Sequence, residues 1–295
     1  MDLRGVFPPI PTPFRDDSFD VDALGRNVDR WLATRVRGIV VLGSNGEAPL
    51  VDEVEADRAI AVVREHVPED RLVIAGTGRE STKATIDASR RAAALGADAV
   101  LVRTPSYFKS QMTTPVFVRH YADVADASPV PIILYNFSAV TGVTLPVPAV
   151  SDLAGHPNII GMKESGSDMG FVADLIDKTP DDFQILVGSA PTFYSALLLG
   201  ARGGILALAC VAPDQCVELY DLVQANRLVE ARTLQRQLNP LARLVTRVHG
   251  VPGLKAALSL VGYTGGEPRP PLRRVSEACL AELREALSEL NMPVS

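Results

Sequence analysis

Residues 159–165 read Ile-Ile-Gly-Met-Lys-Glu-Ser, a short apolar run interrupted by one lysine. Seven runs of the same kind share the chain: VFPPI from Val6, GIVVLG from Gly38, LVIAGTG from Leu72, AVLVRTP from Ala99, PIILYNF from Pro131, QILVGS from Gln184 and GGILALA from Gly203. Their average spacing is about 28 residues, the size of one strand-plus-helix unit. They are nearly continuous in Val, Ile, Leu and Ala, as parallel strands buried on both faces must be. Between them the period changes. Val21, Leu24, Val28, Trp31, Leu32 and Val36 recur three or four apart, a helical stripe. The segment from Asp52 opens with a capping-box pattern, Asp52 at the N-cap and Glu55 three residues on, and the segment from Ser81 stops at Leu95-Gly96, where glycine suits a left-handed cap. Eight such units predict an α/β fold closed as a (β/α)8 TIM barrel, with an open doubly wound sheet as the competing arrangement. The barrel is expected over residues 1–213. Residues 214–295 read as a C-terminal helical extension packed on it, broken by the Gly- and Pro-rich loop Tyr263–Pro271.

The chain has 295 residues with 29 basic and 35 acidic side chains, a net charge of -6, and is 47% hydrophobic and 22% charged. Such a chain can bury enough apolar surface to fold, which excludes disorder, and it has no broad basic face for nucleic acid. Three cysteines, Cys210, Cys216 and Cys279, are too few and scattered for a disulfide framework, and the opening MDLRGVFPPIPTPF has no secretory h-region. The stretch FYSALLLGARGGILALACVAP from Phe193 is cut by Arg202 and three glycines, so it reads as a buried helix and strand rather than a membrane span. A cytoplasmic protein is expected.

The chain holds only five lysines against 24 arginines. Lys83, Lys109, Lys178 and Lys255 fall in helical or loop segments, where a solvated ammonium costs little. Lys163 lies inside the sixth apolar run. Strand alternation puts Ile159, Gly161, Lys163 and Ser165 on one face, and one face of every barrel strand looks into the core. A lysine there must pair, snorkel or lose its proton. An imine-forming lysine attacks a ketone as the neutral amine, which burial favours. The competing reading is an ion pair with a carboxylate, for instance Glu47 from a neighbouring loop. Tyr135, in the run before, shares a face with Pro131, Ile133 and Phe137, and its phenol could approach Lys163. Otherwise it is a core tyrosine bonded to a carbonyl. Gly43-Ser-Asn-Gly-Glu47 follows the second strand, where free backbone N–H groups and the Ser44 hydroxyl can hold a carboxylate or phosphate. No Walker loop, no dinucleotide fingerprint and no HExxH or CxxC motif occurs, and the four histidines have no metal-ligand spacing, so no metal and no cofactor are expected.

In order, GSNGE at 43–47, PSY at 105–107, YN at 135–136 and GMKES at 161–165 resemble the dihydrodipicolinate synthase/N-acetylneuraminate lyase superfamily, and the resemblance runs from Pro9 to the tail. It implies a class I pyruvate-dependent lyase on a (β/α)8 barrel, assembled as a homotetramer built from dimers. By position, Lys163 would be the Schiff-base lysine and Tyr135 the proton donor and acceptor. Ser44 and Asn45 would hold the pyruvate carboxylate. Ser44 would also relay protons between Tyr135 and Tyr107, the latter reaching into a neighbouring subunit's site. Ser165 would orient the distal part of the substrate, and Val140, Gly188 and Ile205 would complete the substrate-binding set.

Departures from the family pattern refine the choice. Asn45 stands where synthases and sialic acid lyases usually have threonine. Val140 stands where the synthases carry an arginine for aspartate semialdehyde, and Ser189-Ala-Pro191 stands where sialic acid lyases carry an acidic pair. GSNGE, GMKESG, SPVPIILY and VPGLKAAL look like 4-hydroxy-2-oxoglutarate aldolase. The leading expectation is therefore metal-free retro-aldol cleavage of a 4-hydroxy-2-oxo acid to pyruvate and an aldehyde. The alternatives are synthase-type condensation of pyruvate with aspartate semialdehyde, and a non-catalytic 2-oxo-acid binding protein. Phe137 and Val140 leave the acceptor side more apolar than a dicarboxylate wants.

Overall fold

The computed structural model describes residues 1–294. Eight strands, β1 (Gly5–Phe7), β2 (Gly38–Val41), β3 (Leu72–Gly76), β4 (Ala99–Arg103), β5 (Ile132–Asn136), β6 (Ile159–Glu164), β7 (Gln184–Val187) and β8 (Gly203–Ile205), pair in parallel in the order β1-β8-β7-β6-β5-β4-β3-β2. The ring closes between its two ends. Val6 O accepts from Arg37 N–H at 2.9 Å, Pro8 O from Val40 N–H at 3.1 Å, and Val40 O from Ile10 N–H at 2.9 Å. The first strand is shorter than the run VFPPI because Pro8 and Pro9 have no N–H to give a ladder; Pro8 meets the neighbouring strand as an acceptor only.

The strands alternate with α1 (Val21–Leu32), α2 (Glu53–His66), α3 (Thr82–Ala94), α4 (Thr114–Ala127), α5 (Val147–Leu153), α6 (Met169–Lys178), α7 (Phe193–Leu199) and α8 (Pro213–Gln224). The local signals act where the sequence places them. Asp52 accepts from Glu55 N–H at 2.8 Å while Glu55 accepts from Asp52 N–H at 3.2 Å, closing the capping box of α2. Gly96, just past α3, takes φ +90°, a conformation that strains any residue with a Cβ. After α8 come α9 (Leu228–Arg243), a π-helical turn over Leu244–Val248, α10 (Gly250–Leu260) and α11 (Glu277–Glu289). Among the described residues, no helix is long and apolar enough to cross a membrane.

Two apolar layers follow from the alternation. Phe7, Val40, Ile74, Leu101, Ile133, Leu186 and Ile205 fill the barrel interior, and a larger cluster joins the outer strand faces to the helices. In β6 the alternation fails at its start. Ile132 pairs with Ile159 but Ile133 pairs with Gly161, so one extra residue bulges. Ile159 consequently packs in the outer layer, not on the face of Lys163, and Ile160 packs against the inner cluster. Beyond the bulge, register with Ile133 and Tyr135 puts Gly161 and Lys163 on the inward face.

Candidate active site

Tyr135 and Lys163 are registered directly opposite each other on β5 and β6, near the C-terminal ends of both strands. That is the end at which barrel enzymes carry their reactive groups. Lys163 is only 4% exposed, and its Nζ lies 4.3 Å from the centre of the Tyr135 ring. The Tyr135 hydroxyl is 3.1 Å from Ser44 Oγ, and its ring stacks on Phe137. Among the described residues no carboxylate pairs with Lys163. Glu47, the partner that the competing reading assigned to it, is engaged elsewhere. Its Oε1 meets Lys255 Nζ, and its Oε2 accepts from Arg269 N–H at 2.8 Å.

Lys255 thereby corrects the expectation of a solvated ammonium. It is 1% exposed, donates to Glu267 O at 2.7 Å and lies 4.5 Å from the centre of the Phe14 ring. Burial pushes its pKa down and the Glu47 carboxylate opposes that. The pair ties the Gly43–Glu47 loop to α10 and to the loop beyond. Glu47 and Leu42 both hold left-handed backbone, with φ of 56° and 58°. This rare conformation for non-glycine residues turns the chain sharply out of β2. Between them Ser44–Gly46 forms a tight turn, closed by Gly46 N–H to Gly43 O at 3.0 Å and fastened by Thr12 Oγ1 to Gly46 O at 2.7 Å. The first N–H groups of such a turn have no partner within it, so those of Ser44 and Asn45 are available to an anion.

Ser44, Asn45, Tyr135, Val140, Lys163, Ser165, Gly188 and Ile205 line one cavity of about 600 Å³. Of the site residues that the resemblance implies, Tyr107 alone stands apart from it. Tyr107 is 78% exposed, packs edge-on against Phe108, and its N–H donates to Glu80. Gly188 has a packing reason to be glycine: a Cβ there would come within 2.0 Å of Ser165 Oγ and 2.9 Å of Lys163 Cε. Glu164, next to the lysine but directed away, accepts from Asn136 Nδ2 at 2.6 Å, and burial raises its pKa. The cavity also has a wall that the sequence reading missed. Val245, Thr246, Arg247, Gly250 and Val251, from the π-turn and the start of α10, face the strand ends. The one signal was an arginine shortly before VPGLKAAL, which nothing local ties to a site formed by β2, β5 and β6.

A buried lysine thus lies opposite a tyrosine, beside a tight turn, at the C-terminal mouth of a parallel barrel. Residues 2–290 match the model of the Dihydrodipicolinate synthetase family. The chain belongs to that family. Its similarity to individual members extends over nearly the full length. It is 36% identical over 294 residues to the 4-hydroxy-tetrahydrodipicolinate synthase of Methanopyrus kandleri, covering 98% of this chain and 97% of that protein. The dihydrodipicolinate synthase structure from Thermotoga maritima superposes with a TM-score of 0.95 at 31% identity, covering 99% of each chain. The Acinetobacter baumannii dihydrodipicolinate synthase, solved complexed with pyruvate, has a TM-score of 0.93 at 29% identity, covering 98% of this chain and 99% of that one. The dihydrodipicolinate synthetase family is one of class I lyases and aldolases, and this chain carries its barrel.

Proposed function

We propose that Lys163 condenses with the ketone of pyruvate, and that the resulting enamine makes or breaks one carbon–carbon bond to an aldehyde bearing its own carboxylate. The observation that carries this reading is the unpaired, buried Lys163 opposite the Tyr135–Ser44 hydroxyl pair. The amine adds to C2 of the 2-oxo acid, water leaves, and the iminium becomes the electron sink. In cleavage, Tyr135 takes the C4 hydroxyl proton, directly or through water, and the C3–C4 electron pair flows into the iminium. The aldehyde departs, and the enamine is protonated at C3 and hydrolysed to pyruvate. In synthesis the same enamine attacks the aldehyde and Tyr135 returns the proton. Ser44 and Asn45 hold the pyruvate carboxylate, and Ser165 orients the distal part of the substrate. These steps call on no metal or cofactor.

The names of the relatives support condensation of pyruvate with aspartate semialdehyde, as in a 4-hydroxy-tetrahydrodipicolinate synthase. One observation favours the second reading, cleavage of 4-hydroxy-2-oxoglutarate to pyruvate and glyoxylate. Val140 lines the cavity after β5 at the position where the resemblance puts the synthases' arginine for aspartate semialdehyde, and brings no cation to it. Action in the cytoplasm fits three cysteines that are all free. Assembly as a homotetramer of dimers would give the exposed Tyr107 and Phe108 a neighbouring site to enter.

The test is incubation with pyruvate and borohydride followed by intact mass. A pyruvate adduct in the native protein and none in Lys163→Ala is expected. No adduct, or one that survives in Lys163→Ala, rejects the reading. Product formation from pyruvate and aspartate semialdehyde, against pyruvate release from 4-hydroxy-2-oxoglutarate, then separates the two second substrates.

A further inference from the structure

The 600 Å³ cavity has an uneven charge. Lys163 and Arg247 line it, and no aspartate or glutamate does. Lys163 lies near the strand ends, whereas Arg247 belongs to the π-turn Leu244–Val248 between α9 and α10. A π-turn places an extra residue in one turn of helix, which redirects the side chains it carries and recurs at functional sites. The segment is held in place just beyond Arg247, where His249 Nε2 meets Glu282 at 2.9 Å on α11. Arg247 itself is exposed, and among the described residues its guanidinium makes no ion pair and no hydrogen bond. Most arginines around the barrel are occupied, such as Arg103 with Glu80 and Arg269 with Glu55. A partnerless guanidinium on the wall of a cavity without acids favours an anion there, through a planar fork matched to a carboxylate.

We propose that Arg247 is the specificity-determining residue of this site: it binds the second carboxylate of the substrate, the one carried by the aldehyde half. Lys163 and the Ser44–Asn45 turn take the 2-oxo acid end, and Arg247 takes the far end across the cavity. This supplies the cation that Val140 does not. It also selects dicarboxylic substrates over neutral-tailed ones while leaving pyruvate binding alone. The assignment rests on the reading that Lys163 forms an imine with 2-oxo acids.

Two analogues isolate the far carboxylate. 2-Oxoglutarate and 2-oxopentanoate have the same chain length and differ by a terminal carboxylate against a methyl. Each competes with pyruvate for borohydride trapping at Lys163, and the native protein, Arg247→Ala and Arg247→Lys are compared. In the native protein 2-oxoglutarate should compete at a concentration roughly tenfold lower than 2-oxopentanoate, the size expected of a hydrogen bond to a charged group. Arg247→Ala should lose that preference while 2-oxopentanoate still competes with pyruvate. Arg247→Lys should regain part of the preference. A preference that persists in Arg247→Ala, or is absent from the native protein, overturns the Arg247 assignment alone. Failure of the native protein to trap pyruvate overturns the imine reading and this assignment together.

Discussion

Replacing Gly188 with alanine tests the geometry around Lys163 most directly. The added methyl would lie 2.0 Å from Ser165 Oγ, 2.9 Å from Ser165 Cβ and 2.9 Å from Lys163 Cε. Carbon atoms rest at about 3.5–4.0 Å, so the serine oxygen must swing away by roughly 1.5 Å and the lysine carbon must withdraw by about 0.6–1 Å. Serine can answer with another rotamer. Lys163 cannot move as freely, because it is 4% exposed and packed over the Tyr135 ring. Overpacking of this kind costs about 1–3 kcal/mol of stability. A misplacement approaching 1 Å at the nucleophile should slow imine formation by roughly 100-fold. The assays are thermal unfolding and the rate of pyruvate trapping with borohydride. Ser165→Ala, added to Gly188→Ala, removes the closest contact, that to the hydroxyl, but leaves those to Cβ of position 165 and to Lys163 Cε. It should therefore restore part of the stability and little of the rate. Trapping at the native rate in Gly188→Ala, or full recovery of rate in the double variant, would refute the placement of Lys163 Cε against Gly188.

Two further outcomes follow from buried charge. Lys255→Met leaves the Glu47 carboxylate, 2% exposed, without its cation, so unfolding by denaturant should show a loss of about 3–5 kcal/mol, and Glu47→Gln in the same background should recover part of it. His120 is buried, its Nδ1 is 2.9 Å from Thr82 Oγ1, and desolvation lowers its pKa to about 4. Because the unfolded chain takes up that proton first, this histidine contributes stability that is fully present above about pH 6.5 and lost as pH falls towards 4, on the order of 3 kcal/mol. Denaturant titrations of His120→Gln should show a shallower loss across that window than the native protein. Equal slopes would reject the assignment.

The number of strands, their order of occurrence and the inward placement of Lys163 were legible before any coordinates, because each rests on a local rule. Parallel strands buried on both faces are continuous apolar runs, helices repeat every three or four residues, and a lysine within a strand run stands out from both patterns. The capping box at Asp52–Glu55 and the glycine stop after Leu95 are of the same kind. Closure of the barrel decided the rest. The β6 bulge, which moves Ile159 to the outer layer, follows from pairing with β5 rather than from composition. Glu47 found Lys255 instead of Lys163, and Arg247 reached the cavity, only because the C-terminal helices pack back over the strand ends. Periodicity reports what one segment does with its own backbone. The partners of distant charges depend on where the closed ring and its helices bring those segments together, and no local pattern encodes that distance.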